Sequence, residues 1–600
     1  MKWMFSYLKP YRAAVVLAPL LMILEVCMDL MQPRLMAGIV NDGILKGNLE
    51  HVWQTGGWML AAAAAGLIGG AGCTYYSVRA SMGFATDLRD ALFQKSQTFT
   101  FRNLDRFTSG SLITRLTGDV VQVQNLVQII LRMLIRSLFL FLGSIVMALA
   151  ISPSLSLLLA AAVPVLFAFL YVLLRLSVPL YRDVQKKLDR VNTVLQENLA
   201  GIRVVKAFVR ERFENSRFRK ANEEHYGMSV RAGRLLAVNM PFMTLALNLC
   251  IVAALWLGGA QTWEGGLEVG SLAAFLTYTT QALMSMLSLG NTLVNISRAK
   301  ASAERIDEVL RTVPDMAEPE ADRSRSAEPE EKTGAAASPV SNGPRPIRIA
   351  PGRIEFDNVI FRYQASEGEP ELQGICLTIE PGQTVGILGS TGSGKSTLVS
   401  LLPRLYDPTE GRVLIGGVDV RDIPSDRLRQ EVGIVLQQAI LFSGTIRDNI
   451  RFGRPDAAQE EVEAAARAAE AHDFICSFPE GYDTVIGQKG VNLSGGQKQR
   501  ISIARALLAE PGILILDDST SAVDLATEAR IRRALSERLR GCTRLIIAQR
   551  VTSVMEADKI VVLEDGKIAA EGTHEQLLAG SAIYRDIYES QTGKEAIRHA

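Results

Sequence analysis

Residues 386–397 read GILGSTGSGKST. The string grows out of TVGIL, an apolar run of strand length, and opens into TLVSLLPRL, an apolar run of helical pattern. It fits G-x-x-x-x-G-K-[ST], the Walker A loop. Glycines let successive backbone N–H groups converge on phosphate oxygens, and the helix that follows adds its positive end. The spacing assigns Gly389, Ser390, Thr391, Gly392, Ser393, Gly394, Lys395, Ser396 and Thr397 to a phosphate cradle. Lys395 is expected to reach the outer phosphates, and the Ser396 hydroxyl to ligate Mg2+. A chance glycine-rich turn would need neither the strand before it nor the helix after it.

A second string, ILILDDSTSAVD at 513–524, runs four apolar residues into two aspartates. Asp517 matches the Walker B carboxylate that holds Mg2+, usually through water. Two distant motifs thus describe one Mg-nucleotide site. Asp518 stands where a hydrolytic site carries the base that reaches an attacking water.

Between these strings lies LSGGQKQR, 493–500. Ser494, Gly495, Gly496 and Gln497 open a helix expected to begin at about Gly496, a second phosphate-binding helix end when the first site already has its own. The string matches the signature motif of ATP-binding cassette (ABC) proteins, and the chain resembles that family elsewhere. Tyr363, 26 positions before Gly389, lies where the family stacks an aromatic on adenine. Gln437, in IVLQQAILFSGTI, matches the Q-loop glutamine and its place at the metal, and Ser521, Ala522, Val523 and Asp524 match the D-loop. In the family two nucleotide domains hold two ATP head-to-tail, each between the Walker A loop of one chain and the signature of the other. The resemblance therefore implies that Ser494 and Gly495 contact ATP held by a partner.

The first half of the chain differs in character. Residues 51–78, 137–174, 235–263 and 269–297 contain no charged side chain. About 20 apolar residues cross the hydrocarbon layer as a helix. The run 137–174 is long enough for two spans, with Ser152, Pro153 and Ser154 as a turn, and 13–36 makes a further one despite Glu25 and Asp29. Six helices result, near 13–36, 54–78, 130–151, 155–178, 236–260 and 270–296. Lys and Arg gather between the second and third helices and between the fourth and fifth, whereas the other connections hold only Lys46. This bias places both basic segments and both termini in the cytoplasm, at the cell (inner) membrane. Helical patterning continues through the basic segments, so the helices are expected to extend past the bilayer. FTSGSLITRLTGDV (107–120) and ENLAGIRVVKAFVRE (197–211) resemble the family's first and second intracellular loops, with coupling segments near 107–120 and 197–220. Residues 313–350 are rich in Pro, Ala, Ser, Glu and Gly and read as a linker.

The expected fold is an all-α membrane domain of six helices with long cytoplasmic helical extensions (1–312). The linker (313–350), an α/β P-loop ATPase domain of the ABC type (351–590) and a tail (591–600) follow. The arrangement resembles a type IV exporter half-transporter. Fusion of membrane and nucleotide domains favours export over import.

Three positions depart from the family pattern. Exporters carry glutamate after the Walker B aspartate; Asp518 is one methylene shorter, about 1.5 Å, a displacement that costs roughly 10²-fold in rate. The switch histidine, in a string like IAHR, is Gln549 in IAQR, and none of His51, His225, His472, His574 or His599 is close enough in sequence to replace it. Glutamine still hydrogen-bonds, but it cannot become a cation or move a proton. Gln488 replaces the usual glutamate of TVIGQKG. Binding residues are kept and hydrolysis residues changed, a pattern that resembles the degenerate-site subunit of heterodimeric bacterial multidrug exporters.

The implied cofactors are ATP and Mg2+. The implied partners are a second half-transporter, membrane lipid and an amphipathic small molecule. A net charge of +1 gives no pointer to nucleic acid. A homodimeric exporter of low activity and a nucleotide-gated regulatory membrane protein without transport are the alternatives. Glu25 and Asp29, spaced i,i+4, share one helix face, where they would receive a cationic amphiphile, make a structural contact or wall an aqueous cavity. Phe242, Met243, Phe275, Tyr278, Met284 and Met286 are candidates for a permissive pocket, for helix packing or for lipid exposure. The six cysteines form no CxxC pair and read as scattered buried thiols. The N-terminal MKWMFSYLKPYR lacks a short apolar core with a cleavage site, so no removable signal peptide is expected.

Overall fold

The computed structural model describes residues 3–316, 353–363, 369–520 and 523–598. Most of the expected linker, from 317 on, and the D-loop residues Ser521 and Ala522 lie outside these. The chain forms two compact units, Met1–Thr98 with Thr108–Thr312, and Phe99–Phe107 with Val313–Ala600.

The first unit is helical. Among the described residues six helices are long and apolar enough to cross a membrane: Ser6–Ile44, Leu49–Gln97, Ser109–Ile151, Pro153–Ala200, Glu211–Trp263 and Val269–Leu289. Leu49–Gln97 runs for 49 residues. At 1.5 Å per residue that is about 73 Å, more than twice the hydrocarbon thickness, so these helices do extend past the bilayer. Their ends follow local rules. Asn48 accepts the His51 N–H at 3.1 Å. Ser152 leaves the helical region (φ −150°) and accepts the Leu155 N–H at 3.3 Å, with Pro153 in the first turn. Short π-helical turns at Ile39–Ile44, Arg115–Asp119 and Ile130–Leu134 interrupt the regular pitch, which sequence periodicity did not show.

Phe275 and Tyr278 are fully buried, and the Tyr278 hydroxyl donates to the Leu30 carbonyl at 2.6 Å. Met243 and Met286 are buried in helix packing, Phe242 stacks on Phe169 at 3.8 Å, and Met284 is exposed. Packing is thus the role of all these residues except Met284. Asp119 is buried and takes a forked pair of bonds from Arg305, closing the helix Ser109–Ile151 onto the helix Val269–Arg311.

The second unit is α/β. A six-stranded sheet has the order β12-β11-β3-β10-β9-β6: Lys567–Gly572, Lys559–Glu564, Thr384–Gly389, Thr543–Ile547, Ile513–Asp517 and Val432–Val435. All neighbours pair in parallel except β11 with β12. Every residue of β9 is buried, the pattern of a central parallel strand covered on both faces. A second, antiparallel sheet orders β2 (Leu372–Ile379), β1 (Ile354–Phe361), β4 (Glu410–Ile415) and β5 (Val418–Asp419), and the short β7 (Gly444–Thr445) pairs with β8 (Val485–Ile486). Cys73 and Cys542 are buried and Cys250 half-buried, but Cys27, Cys376 and Cys476 are exposed, so the reading of all six as buried thiols is corrected.

Candidate nucleotide site

Adjacent parallel strands deliver the site at their carboxyl ends, the edge where open α/β sheets bind ligands. Gly389 closes β3 and Asp517 closes β9, with Ile547 paired to Asp517 at the end of β10. Gln549 follows two residues later. Gly389, Thr391, Gly392, Gly394, Lys395, Ser396, Thr397, Gln437, Asp517, Asp518 and Gln549 line one cavity of about 210 Å³. Glu371 and Ile547 also line it; nothing in the sequence pattern singled them out.

Crowding explains the loop's glycines. A Cβ at Gly389 would lie 2.2 Å from the Leu563 carbonyl oxygen, and one at Gly394 2.9 Å from that of Glu371. Gly392 and Gly394 have φ of +87° and +93°, the left-handed region that glycine enters without penalty. Lys395 Nζ donates to the carbonyls of Gly389 (2.9 Å) and Ser390 (2.6 Å), and burial lowers its pKa. The Ser396 hydroxyl donates to Asp517 Oδ1 at 3.1 Å. A hydroxyl and a carboxylate already in contact are the hard oxygen donors that Mg2+ takes. Burial raises the pKa of Asp517, opposed by Ser396 and Lys395. These residues fit Mg-ATP: the loop would take the phosphates and Ser396 and Asp517 would hold the ion, with Gln437 lining the same cavity. Held by Ser396 and Asp517, a Mg2+ ion would supply charge neutralisation at the phosphates.

Asp518 is held differently. Its Oδ2 accepts from Gln549 Nε2 at 2.7 Å and from Gln437 Nε2 at 3.2 Å. Its N–H donates to the Ile547 carbonyl at 3.0 Å, and its φ is +45°, a left-handed backbone that aspartate tolerates better than longer side chains. Burial raises its pKa, against the lowering by Gln437, Arg550, Lys395 and Gln549.

Tyr363 does not line this cavity. Its hydroxyl lies 2.9 Å from the Thr397 hydroxyl, and its ring meets Tyr406 edge-on at 5.2 Å. Tyr406 in turn donates to Asp105 at 2.9 Å within the same unit. Ser494, Gly495, Gly496 and Gln497 do not line it either. They begin the helix Gly495–Leu508, one residue earlier than expected, as a capping box: the Gln497 N–H donates to Ser494 Oγ at 3.3 Å, and the Ser494 N–H to Gln497 Oε1 at 2.9 Å. Ser494 and Gly495 are exposed.

The ABC transporter transmembrane region family matches residues 15–286, and the ABC transporter family matches residues 372–521. The chain belongs to the ABC transporter family. It is 44% identical to the ABC transporter ATP-binding protein YfiB of Bacillus subtilis over 590 residues, 98% of each chain. It is 34% identical to the ATP-dependent lipid A-core flippase of Syntrophus aciditrophicus over 531 residues, 88% of this chain and 84% of that one. The structure of a bacterial Atm1-family ABC exporter with ATP bound superposes with a TM-score of 0.78 at 27% identity, covering 97% of this chain and 98% of that one. This ABC transporter is therefore a multi-pass membrane protein and a transport ATPase that uses ATP with Mg2+, built as a type IV exporter half-transporter.

Proposed function

We propose that this chain is the degenerate-site half of a heterodimeric exporter moving amphipathic compounds out of the cytoplasm or inner leaflet. The carrying observation is Asp518, one methylene short and bound by two glutamine amides. A general base needs a lone pair turned to the attacking water, and here two amide donors occupy one carboxylate oxygen. Neither Gln437 nor Gln549 can take up the proton. The Walker residues, by contrast, keep the contacts that binding needs. The exposed Ser494–Gly495 helix end then completes the partner's competent site. The curated name of the lipid A-core flippase supports lipid-like cargo, and the basic loops support cytoplasmic termini in the inner membrane.

The test is purification of the tagged chain from its native membrane. Recovery with a second half-transporter carrying glutamate after its Walker B aspartate supports the proposal. Recovery as a homodimer with rapid Mg-dependent ATPase overturns it.

A further inference from the structure

The first unit holds a cavity of about 700 Å³, larger than the nucleotide cavity and unused by the ATPase chemistry. Its polar wall is Glu25, Asp29 and Gln32 on one helix, Thr74 on the next, and Arg132 on a third. Met28, Leu67 and Tyr75 supply apolar lining between small residues. Glu25, Asp29 and Gln32 recur at i, i+4 and i+7, one face of the first helix. Glycine makes room for it: a Cβ at Gly70 would come within 2.8 Å of Glu25 Oε2.

The charges do not cancel pairwise. Glu25 and Asp29 share a single guanidinium, Arg136, at 3.0 Å from Asp29 Oδ2. Two carboxylates against one cation leave one negative charge unmatched. Arg132 lines the same cavity, and among the described residues its guanidinium has no ion-pair or hydrogen-bond partner. It lies within the π-turn Ile130–Leu134. Such π-turns are frequent at functional sites. Unmatched charge at membrane depth is expensive and marks substrate pathways. A cation bound here would leave Arg132 uncompensated, and an anion would leave the carboxylate so.

We infer that this cavity binds a zwitterionic amphiphile, its ammonium on the Glu25–Asp29 edge, its phosphate on Arg132 and its chain along Met28, Leu67 and Tyr75. Calling that occupant cargo rests on the export reading; the binding site does not.

Three photoactivatable lipids with one diazirine acyl chain test the assignment on the full chain in nanodiscs, without nucleotide. Their headgroups are phosphoethanolamine (zwitterionic), phosphoglycerol (anionic) and trimethylammonium (cationic). The zwitterion is expected to label peptides covering 25–32 and 62–75 roughly tenfold more than either other probe, the factor of one charge-assisted contact. Equal labelling, or preference for either net-charged probe, overturns the inference. Arg132→Gln should move the preference to the cationic probe and Arg132→Lys should keep it; an unmoved preference in folded Arg132→Gln overturns the inference as well. If Arg132→Gln does not fold, the wild-type comparison and Arg132→Lys decide. Full competition by soluble phosphoethanolamine would mean that the headgroup alone binds, and would overturn an amphiphile. Loss of ATP-driven transport with labelling intact counts against export and not against the site.

Discussion

Gln549 donates a hydrogen bond to the carboxylate of Asp518 over 2.7 Å. The residue at the family's switch position and the residue at its base position thus engage each other. Gln437 binds the same oxygen at 3.2 Å, so Asp518 is oriented by two neutral donors. Such an arrangement fixes the direction of the carboxylate.

The isolated chain should therefore bind Mg-ATP and turn it over slowly, on the order of 10²-fold or more below a site with glutamate and histidine. Nucleotide binding by fluorescence and steady-state phosphate release by the pure chain check this. Fast release that disappears with EDTA would contradict it.

In the assembled heterodimer, Asp518→Ala should change ATPase far less than loss of the partner's catalytic glutamate. With that glutamate replaced by glutamine, Asp518→Glu alone should restore little. The longer side chain must also adopt the left-handed backbone of position 518, a penalty of about 1–2 kcal/mol. Adding Gln549→His should give the larger gain. Turnover abolished by Asp518→Ala alone, with binding and assembly intact, would invert this division of labour.

Ser494→Arg should remove most heterodimer ATPase by placing a bulky cation at the exposed helix end. Ser494 also caps its helix, so loss of the cap alone is worth about 1 kcal/mol. Ser494→Ala separates the two effects: it loses the cap but leaves the surface open, and should retain more activity than Ser494→Arg. Equal losses would mean that helix integrity, not access, is what matters.

Cys542 is buried, which pushes its thiol up to about 11. At pH 8 in the folded chain, iodoacetamide should modify exposed Cys376 and Cys476 on the order of 10²-fold faster than Cys542, because only the thiolate attacks. Raising the pH toward the thiol's own range should narrow the gap. Mass spectrometry of tryptic peptides over time reads both rates.

The sequence made the layout legible where one local pattern decided it. Charge-free runs marked the membrane helices, and GILGSTGSGKST between a strand and a helix marked the P-loop. Pairings between distant residues were not legible. Arg136 serves Asp29 across 107 positions, and the contact of Gln437 with Asp518 spans 81. Backbone strain was equally hidden, since nothing in DDST announces a φ of +45° at Asp518. Tyr406 escaped notice for the same reason: its links to Tyr363 and Asp105 exist only after three separate segments meet.

The segment Phe99–Phe107 belongs with the nucleotide-binding unit, although its flanks at Thr98 and Thr108 belong with the helical one. The chain accordingly passes between the two units three times, at 98–99, 107–108 and 312–313. Cutting the polypeptide after Thr312 would sever one tether and leave nine residues of the N-terminal fragment embedded in the other piece. The nucleotide-binding unit is thus assembled from two stretches of chain, one of them only nine residues long, and a fragment that begins after Thr312 lacks part of it.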